Sequence, residues 1–395
     1  MRFLLAVCLA PALLAQNADL AAFDQVWTTI RDTHWQKDAP GGLDWNAIRA
    51  EYRPRVEAAK STAEARAAMQ EMLRRLKQTH FGIVGGYSPS EEGEGGSGST
   101  GIDLRVLDGE VVVTAVDPGS PAERAGVRPG WAIRSANGRA MTIPPLPELQ
   151  LTRAMLARVS GPIGRGITIV FDQATLTLDL ATPRGAQVDF GNLTGSRVWY
   201  EDRRIGSTAY VRFNLFLDIP RIIPSFDRTL KACAPCDGLI LDLRGNPGGI
   251  GGMAMGMAGF LLEKPNQRLG TMFMRDATLN FVVNPRPPVF AGRVAVLMDG
   301  TSASTAEILA GGLQDLGRAR IFGTRSAAAA LPSILTTLPN GDAFQYAIAG
   351  YVSQSGKALE GAGVTPDVEV KLTREGLLAG HDAVLDAALD WIRKQ

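Results

Sequence analysis

The sequence predicts an α/β protein in which a helical N-terminal segment and a small β-rich unit precede an α/β core. Three observations predict this fold class. An apolar stripe at helical spacing runs to Leu76, and short strands separated by Gly and Pro turns fill residues 101–185. Beyond residue 185, strand-like and helix-like segments alternate, among them predicted strands at 205–213 and 293–298 and a predicted helix at 219–232. That alternation is typical of an open, largely parallel sheet covered by helices.

The composition supports more than one hydrophobic core and argues against several classes of partner. The chain has 395 residues, 45% hydrophobic and 21% charged, and its 44 glycines and 23 prolines indicate many tight turns. A formal net charge of +1 gives no reason to expect a nucleic-acid partner. No His, Cys, Asp or Glu group has metal-ligand spacing, and no segment is long and apolar enough to span a membrane, so we expect neither a metal, a cofactor nor a membrane span. The oligomeric state stays open.

The first residues have the pattern of a secretory signal. Met1-Arg2 precedes an apolar run over residues 3–14, and Ala15-Gln16-Asn17 follows it. A charged start, a short apolar stretch and a small residue at the cleavage position are typical of signal peptides. The sequence therefore predicts a signal peptide at 1–15 and an exported protein, periplasmic or secreted.

A helical subdomain is predicted over residues 16–89, followed by a linker. Ser61-Thr62-Ala63-Glu64 has the spacing of a capping box, and the apolar stripe that follows consists of Ala65, Ala68, Met69, Met72, Leu73 and Leu76. Residues 90–100 are rich in Gly, Ser and Glu and read as a linker. Thr79-His80 lies in the turn that leaves the last helix of this subdomain.

The β-rich unit, residues 101–185, is similar to a PDZ domain. The similarity rests on the run 119–130, Gly-Ser-Pro-Ala-Glu-Arg-Ala-Gly-Val-Arg-Pro-Gly. PDZ domains add a peptide strand to a sheet edge beside a carboxylate-binding loop. The resemblance implies that peptide segments or C-termini bind at Gly101, Ile102, Asp103 and Leu104. A small β-domain that acts only as a spacer is the alternative.

Two cysteines remain after the predicted signal peptide. Cys233 and Cys236 form a Cys-Ala-Pro-Cys motif, which in an oxidising compartment can close as a small disulfide and in a thioredoxin-like setting can be redox-active. The motif precedes a strand, whereas a thioredoxin motif follows one. We therefore favour a structural disulfide, and two free thiols remain an alternative.

Two glycine- and serine-rich turns are the candidate sites of chemistry. Residues 294–312 form a strand, a tight hydroxyl-rich turn and a helix, and Ser304 lies where a nucleophile would face the unpaired N–H groups of the helix. The alternative is that Ser302, Ser304 and Thr305 only cap this helix. The second turn, residues 242–249, also follows a strand, and its glycines allow backbone N–H groups to approach an oxyanion.

Four blocks of the core are similar to the tail-specific, or C-terminal processing, serine peptidases. They are residues 238–249, 301–311, 314–319 and 361–367. The resemblance implies a crotonase-like layered β/α core over residues 186–395, with the PDZ domain inserted before it. It further implies that Ser304 is the nucleophile and that the N–H groups of Thr305 and Gly248 hold the oxyanion.

The chain departs from this family at one catalytic position. Most members use a Ser-Lys dyad, but the lysine would fall at Ala329, and no lysine occurs between Thr301 and Ser355. A branch that resembles the tricorn core protease uses a histidine before the PDZ domain and a glutamate near the chain end. Thr79-His80 and the block Leu359 to Asp367 match it. The resemblance implies His80 as general base and Glu360 as the carboxylate that acts on it through Thr79.

Structural roles remain open for these residues. His80 could instead satisfy the carbonyls at a helix C-terminus, and Glu360 could be a solvated carboxylate beside Lys357. His34 and His381 match no motif, and we interpret them as surface or packing residues. The sequence thus predicts an exported serine endopeptidase of Ser-His-Glu type acting on polypeptides. A catalytically inactive protein that binds peptides or other ligands is the main alternative, and a hydrolase of small esters is a weaker one.

Overall fold

A computed structural model describes residues 9–85, 97–190, 193–233 and 235–394. The helices are α1 Leu9–Thr33, α2 Trp45–Glu57, α3 Thr62–Arg74, α4 Pro121–Arg124, α5 Glu148–Arg158, α6 Ile219–Ala232, α7 Gly251–Ala258, α8 Thr305–Asp315, α9 Arg374–Leu378 and α10 Ala383–Arg393, with a short 3-10 helix at Pro40–Gly42. None of the helices in these ranges is both long and apolar enough to cross a membrane.

The strands alternate with the helices along the chain. They are β1 Gly82–Val84, β2 Ser97–Ser99, β3 Ile102–Leu107, β4 Glu110–Val116, β5 Ile133–Ala136, β6 Arg139–Ala140, β7 Ser160–Pro162, β8 Gly166–Phe171, β9 Thr175–Asp179, β10 Ala186–Phe190, β11 Leu193–Val198, β12 Tyr200–Ile205, β13 Thr208–Phe213, β14 Gly238–Asp242, β15 Gln267–Met274, β16 Thr278–Val283, β17 Arg293–Met298, β18 Ala319–Gly323, β19 Ser333–Thr337, β20 Ala343–Ala347, β21 Ala349–Ser353 and β22 Val368–Glu369.

Two predicted segments fall partly outside the described residues. Of the predicted signal peptide, residues 1–8 lie outside them and α1 begins at Leu9. Of the predicted linker 90–100, residues 90–96 lie outside them. Its last part is not a linker, because Ser97–Ser99 forms β2 and pairs antiparallel with β7. A run of such small residues suggests a flexible segment, but the backbone of β2 pairs with that of β7 in a two-stranded sheet.

Helices α1 to α3 pack around their own apolar core. Helix α3 starts at the predicted N-cap with half of the capping box: the Ser61 hydroxyl accepts from the Glu64 N–H, but the Glu64 carboxylate accepts from the N–H of Lys60 rather than from that of Ser61. The sequence left a surface role and a packing role open for His34, and the structure shows that His34 packs in this core. It is 1% exposed, stacks between Trp35 and Phe81, and bonds to a side-chain amide, so its polar atoms are satisfied inside the core.

The chain leaving α3 is attached to the α/β core by a small sheet. Strands β1, β20 and β19 form an antiparallel sheet with β20 in the middle. The Gln70 side chain of α3 accepts from the Ile83 N–H of β1. Arg66 of α3 binds Asp342, in the turn between β19 and β20, at 2.7 Å. These contacts fix the turn that precedes β1.

The β-rich unit has two main sheets packed on helix α5. Strands β3 and β4 form one sheet, and β6, β5, β8 and β9 form the other in that order. One face of α5 contributes Leu151 and Met155 to the apolar core that both sheets share. Within the described residues, β3 pairs only with β4, so the other edge of β3 carries no strand.

The core is a six-stranded sheet in the order β12-β13-β14-β17-β18-β22. Only β12 runs antiparallel to its neighbour, which confirms the predicted mixed α/β fold and its largely parallel sheet. The predicted strand 205–213 is a hairpin instead, because β12 ends at Ile205, a glycine turn follows, and β13 begins at Thr208. Every residue of β14 is buried.

Helices cover both faces of this sheet. Side chains of α10 pack on one face, and those of α6, α7 and α8 pack on the other. A second sheet, in the order β16-β15-β21, lies on the far side of α8. After α6, Cys233 and Cys236 form a disulfide. Because β14 and β17 are parallel neighbours, the loops that follow them, residues 243–250 and 299–304, meet at one edge of the sheet.

Candidate active site

Ser304 lies in a strained turn between β17 and α8. Its φ is +55°, a value that residues other than glycine rarely adopt and that is retained only where the surroundings enforce it. Here the Ser304 N–H donates to the Ala329 carbonyl at 2.8 Å and to the Glu307 carboxylate at 2.9 Å. Two acceptors therefore hold the backbone of Ser304 in place.

Glu307 is a buried carboxylate that sequence reasoning missed. It is 0% exposed and accepts from four donors. The donors are the Ser304 N–H at 2.9 Å, the Ser326 hydroxyl at 2.5 Å and the N–H groups of Ala328 and Ala329 at 3.0 Å each. Burial raises the pKa of Glu307 to about 7 against the effect of these donors. Glu307 lies three residues after Ser304, which is the spacing of a capping box. This spacing is the feature of the sequence that could have identified Glu307.

His80 follows α3 and is held by Thr79 and Glu360. The Thr79 N–H and hydroxyl donate to the two oxygens of Glu360 at 2.7 and 2.8 Å, and the Thr79 hydroxyl lies 2.8 Å from His80 Nδ1. A carboxylate only accepts, so the single hydroxyl proton of Thr79 points to Glu360. Nδ1 of neutral His80 must then be the donor to Thr79. This network assigns the lone pair of the ring to Nε2.

The electrostatic surroundings keep His80 neutral. Burial lowers the pKa of His80 to about 4, and the positive charge of Arg153 on α5 contributes to that decrease. Neutral imidazole with a free Nε2 can accept a proton. At neutral pH, the ring therefore has the protonation state that a general base requires.

A single peptide group separates Ser304 from the Thr79–Glu360 pair. The Ala329 carbonyl accepts from Ser304, and the next N–H, that of Ala330, donates to Glu360 Oε2 at 3.2 Å. In a trans peptide these two groups point to opposite sides. The Ser304 nitrogen and the Glu360 oxygen are therefore within about 8 Å of each other.

The predicted catalytic residues are thus brought into one region from three distant parts of the chain. Thr79, His80 and Glu360 are in direct contact. Within the described residues, no hydrogen bond joins the His80 ring to the Ser304 hydroxyl. Catalytic hydrogen bonds are often long before substrate binds and tighten in the substrate complex.

Gly248 lies against the Ser304 turn as predicted, but its N–H is engaged. A Cβ at this position would lie 2.7 Å from the Cβ of Ser304 and 2.9 Å from the Thr305 nitrogen, so no larger residue fits. The Gly248 N–H donates to Asn246 Oδ1 at 2.9 Å. The Thr305 N–H begins α8, where no helical carbonyl precedes it. An oxyanion would meet the Thr305 donor directly and would compete with Asn246 for the Gly248 donor.

The predicted peptide-binding residues line the start of β3. Ile102 and Leu104 are buried and Gly101 has a φ of +78°. Asp103 binds the buried Arg105 at 2.7 Å, and Arg105 in turn binds Asp299, in the turn before Ser304, at 2.9 Å. The predicted loop is therefore connected by ion pairs to the turn that carries Ser304.

The described residues contain no group of His, Cys, Asp and Glu side chains that could hold a metal ion. His381, the third histidine, is exposed and lies 3.7 Å from Asp386, so it is a surface residue. The described residues therefore add neither a metal site nor the His381 side chain to the region around Ser304.

Comparison with family models divides the chain in the same way as the fold. Residues 207–370 match the model of peptidase family S41, residues 112–149 match a PDZ domain, and residues 20–74 match the tricorn protease C1 domain. The S41 match contains both glycine- and serine-rich turns. The tricorn C1 match covers the helices that precede His80.

Curated relatives with similar sequences are proteases. The chain is 28% identical over 306 residues to a carboxy-terminal-processing protease of Bartonella bacilliformis, covering 74% of this chain and 65% of the relative. It is 25% identical over 317 residues to a probable CtpA-like serine protease of Staphylococcus aureus, covering 78% and 60%. The chain thus spans less than two thirds of the length of either relative.

Solved structures share the fold at low sequence identity. The photosystem II D1 C-terminal processing protease has a TM-score of 0.58 and 22% identity, with 93% of this chain and 98% of that chain covered. The tricorn protease has a TM-score of 0.54 and 18% identity, with 95% and 36% covered. The similarity expected from the motifs is thus found in the family models: residues 207–370 are similar to peptidase family S41, and residues 112–149 before them are similar to a PDZ domain.

Proposed function

We propose that the protein is a serine endopeptidase in which Ser304 is the nucleophile and His80 the general base. The observation that carries the proposal is the hydrogen-bonded path from Ser304 through the Ala329–Ala330 peptide to Glu360, Thr79 and the His80 ring. It joins the strained serine to a neutral histidine whose Nε2 is free. Similarity to peptidase family S41 over residues 207–370 and similarity to proteases support the same conclusion.

The proposed reaction is acyl transfer. As Ser304 Oγ attacks the peptide carbonyl carbon, its proton moves to His80 Nε2. The tetrahedral intermediate collapses when His80 returns this proton to the leaving amine, which breaks the C–N bond and leaves an ester on Ser304. A water molecule then attacks the ester, with His80 again the base, and releases the acid product and the free serine.

Glu360 is proposed to stabilise the imidazolium through Thr79. The cation that forms on His80 in each transition state donates from Nδ1 to the Thr79 hydroxyl, whose proton is directed to the carboxylate. The environment of Ala329 supports the assignment of His80 over a base at that position. Ala329 is 5% exposed and packs against Ala303 and Leu149, so it contributes an apolar wall and no titratable group.

The oxyanion is proposed to bind the Thr305 N–H and the Gly248 N–H. The start of α8 adds the positive end of its dipole at the same place. The Gly248 N–H reaches the oxyanion when its bond to Asn246 Oδ1 lengthens or becomes shared. We further propose that the PDZ domain binds a peptide segment or C-terminus along the unpaired edge of β3, and that the protein is exported.

Labelling with a fluorophosphonate tests the nucleophile. We expect one adduct per chain, on Ser304, and none in Ser304→Ala, because an activated serine reacts with the phosphorus as it would with a peptide carbonyl. Ser302→Ala is the matched control, since Ser302 lies in the same turn but its hydroxyl donates to the Leu243 carbonyl. An adduct on another residue, or none on the folded wild-type protein, would contradict the proposal.

The pH dependence of kcat/KM tests the base. Neutral His80 is the active form, so activity is lost as the pH falls through the pKa of His80 in the free enzyme. Since that pKa is lowered to about 4, we expect the decrease in kcat/KM caused by His80 to begin below about pH 5 and to reach about tenfold per pH unit well below pH 4. The pKa of Glu307, which anchors the Ser304 turn, is raised to about 7, so the profile is compared with that of Glu307→Gln. Unfolding must be followed by circular dichroism over the same range. An inflection near the ordinary histidine pKa of 6.5 that persists in Glu307→Gln would contradict the assigned environment.

A further inference from the structure

His34 is a buried histidine that the proposed reaction does not use. It follows α1, and its ring stacks on that of Trp35, with the centroids 4.1 Å apart and the planes inclined by 13°. A polar side chain inside an apolar core costs free energy unless its polar atoms are bonded. The partners of the two ring nitrogens therefore indicate what His34 does.

The two nitrogens of His34 have different partners, which fixes the tautomer of the ring. Nδ1 accepts from the Gln36 N–H at 3.1 Å. A backbone N–H only donates, so Nδ1 carries no proton and the proton of the neutral ring is on Nε2. Nε2 then donates to Oε1 of Gln78 at 2.9 Å. Burial lowers the pKa of His34, which favours this neutral form.

His34 contacts the turn that carries His80 on both sides of that residue. Gln78, the acceptor of the Nε2 proton, comes two residues before His80. Phe81 follows His80 directly, and its ring lies over that of His34 with the centroids 5.8 Å apart and the planes inclined by 20°. One buried side chain thus holds the residues that flank the Thr79-His80 pair.

This turn needs support from side chains because its backbone is strained. Lys77 has a φ of +52° and His80 one of +60°, and residues other than glycine keep such values only where their surroundings enforce them. Among the described residues, no hydrogen bond between backbone groups involves residues 78–80. The carboxylate of Glu360 supplies one support through its bonds to Thr79, and His34 supplies another.

His34 is itself fixed to the α/β core. The Arg275 guanidinium, in the turn between β15 and β16, donates to the His34 carbonyl at 3.1 Å. The neighbouring Trp35 lies against Gly350 of β21, where a Cβ would be 3.1 Å from Trp35 Nε1. Strands β16, β15 and β21 form one sheet. His34 therefore connects the His80 turn to a sheet of the core.

Given the proposed peptidase activity, we propose that His34 is a positioning residue for the general base. The bond to Gln78 and the stacked Phe81 ring hold the turn against the core, so that Nε2 of His80 faces the Ser304 hydroxyl when substrate is bound. His34 acts only through the turn. Proton transfer requires hydrogen-bond distance between the two groups, and a displacement of about 1 Å costs up to about a hundredfold in rate.

Replacing His34 with phenylalanine tests this role, because it keeps a ring that can stack on Phe81 and removes the donor to Gln78. We expect kcat for peptide cleavage to fall between about tenfold and about a hundredfold. KM should stay within about twofold of the wild type, since His80 acts in both acylation and deacylation. The rate of fluorophosphonate labelling of Ser304 should fall with kcat.

His34→Gln is the conservative variant that separates the hydrogen bond from the packing. Its side-chain amide can donate from near the position of Nε2, so most of the activity lost in His34→Phe should return. A kcat in His34→Gln as low as in His34→Phe would contradict the role of the bond to Gln78.

A double-mutant cycle tests whether the effect passes through Gln78. Gln78 is partly exposed, so Gln78→Ala removes the acceptor with little risk to folding, and we expect it to lower kcat by a factor similar to that of His34→Phe. The double variant should be no slower than the slower single variant, because both changes remove the same interaction. Losses that multiply in the double variant, or an unchanged kcat in Gln78→Ala, would overturn the inference.

Trp45→Phe separates positioning from a loss of stability. Trp45 lies in the apolar core of α1 to α3, and its Nε1–H donates to the Trp27 carbonyl at 3.0 Å, so this variant also loses a buried hydrogen bond. Its kcat should stay within about twofold of the wild type, because a moderate loss of stability leaves nearly all molecules folded. Equal losses of kcat in Trp45→Phe and His34→Phe would reject the positioning role.

The outcomes also separate this inference from the proposed function. Labelling of Ser304 and peptide cleavage at the wild-type rate in His34→Phe would reject the role of His34 alone. Absence of both labelling and cleavage in the folded wild-type protein would reject the peptidase assignment and, with it, the role of His34.

Discussion

Replacing His80 with glutamine should lower kcat/KM for peptide cleavage about 10³-fold. Glutamine is of comparable size and can still bond to the Thr79 hydroxyl, but it cannot take the proton of Ser304. Since Ala329 occupies the position of the family lysine, no side chain replaces the lost base. Initial rates on a fluorogenic peptide and the rate of fluorophosphonate labelling should decrease together.

His381→Gln is the matched control for this substitution. His381 is exposed and lies far along the chain from the turn, so its replacement should leave both rates within twofold of the wild type. Thermal unfolding of both variants checks that each is folded. Undiminished labelling in folded His80→Gln would mean that another group activates Ser304, and the Ser-His-Glu assignment would be abandoned.

Replacing Glu307 with leucine should lower the free energy of unfolding by about 4 kcal/mol. The carboxylate accepts from four buried donors, on Ser304, Ser326, Ala328 and Ala329. Leucine fills a similar volume but removes this acceptor from the Ser326 hydroxyl and from the N–H groups of Ala328 and Ala329, whereas the Ser304 N–H keeps the Ala329 carbonyl. Urea unfolding followed by circular dichroism gives the free energy, and labelling of Ser304 in the folded variant should also slow because the turn loses one of its two anchors.

Glu64→Leu is the control for this second substitution. Glu64 occupies the same capping-box position at the start of α3, but it is exposed and accepts only from the Lys60 N–H. Water can replace it, so the loss should be below about 1 kcal/mol. Equal losses in the two variants would show that the lost helix cap alone determines the effect at Glu307. Buried donors left without an acceptor would then contribute nothing further.

Many elements were predictable because their signals are local. The capping box at Ser61 marks the start of α3, and the predicted helix at Ile219–Ala232 and strand at Arg293–Met298 have the observed bounds. Hydrophobic periodicity depends only on neighbouring residues, so a single sequence reports it. The strand at Ser97–Ser99 escaped prediction because its Ser-Gly-Ser sequence has no pattern, and only its pairing with β7 makes it a strand.

The candidate site was predictable where a residue type identifies its chemistry. Ser304 and Gly248 lie in recognisable turns, and His80 is one of three histidines. Glu307 was not identified, since charged residues on helices are usually solvated. The engagement of the Gly248 N–H by Asn246 was also beyond sequence reasoning, because a hydrogen-bond partner two residues away depends on the exact backbone path.

The sequence by itself determined the order of the parts: helices, a unit similar to a PDZ domain and a core similar to peptidase family S41, with a serine, a histidine and a glutamate in recognisable positions but no family lysine. Only the tertiary structure decided how they meet. The parallel pairing of β14 and β17 joins the two turns, and the Ala329–Ala330 peptide connects Ser304 to Glu360. The tautomer of His80 follows from the contact of Thr79 with Glu360. Spacing along a chain does not encode these contacts, because they are hydrogen bonds between segments separated in sequence, by 30 residues for Ala330 and Glu360 and by 281 for Thr79 and Glu360.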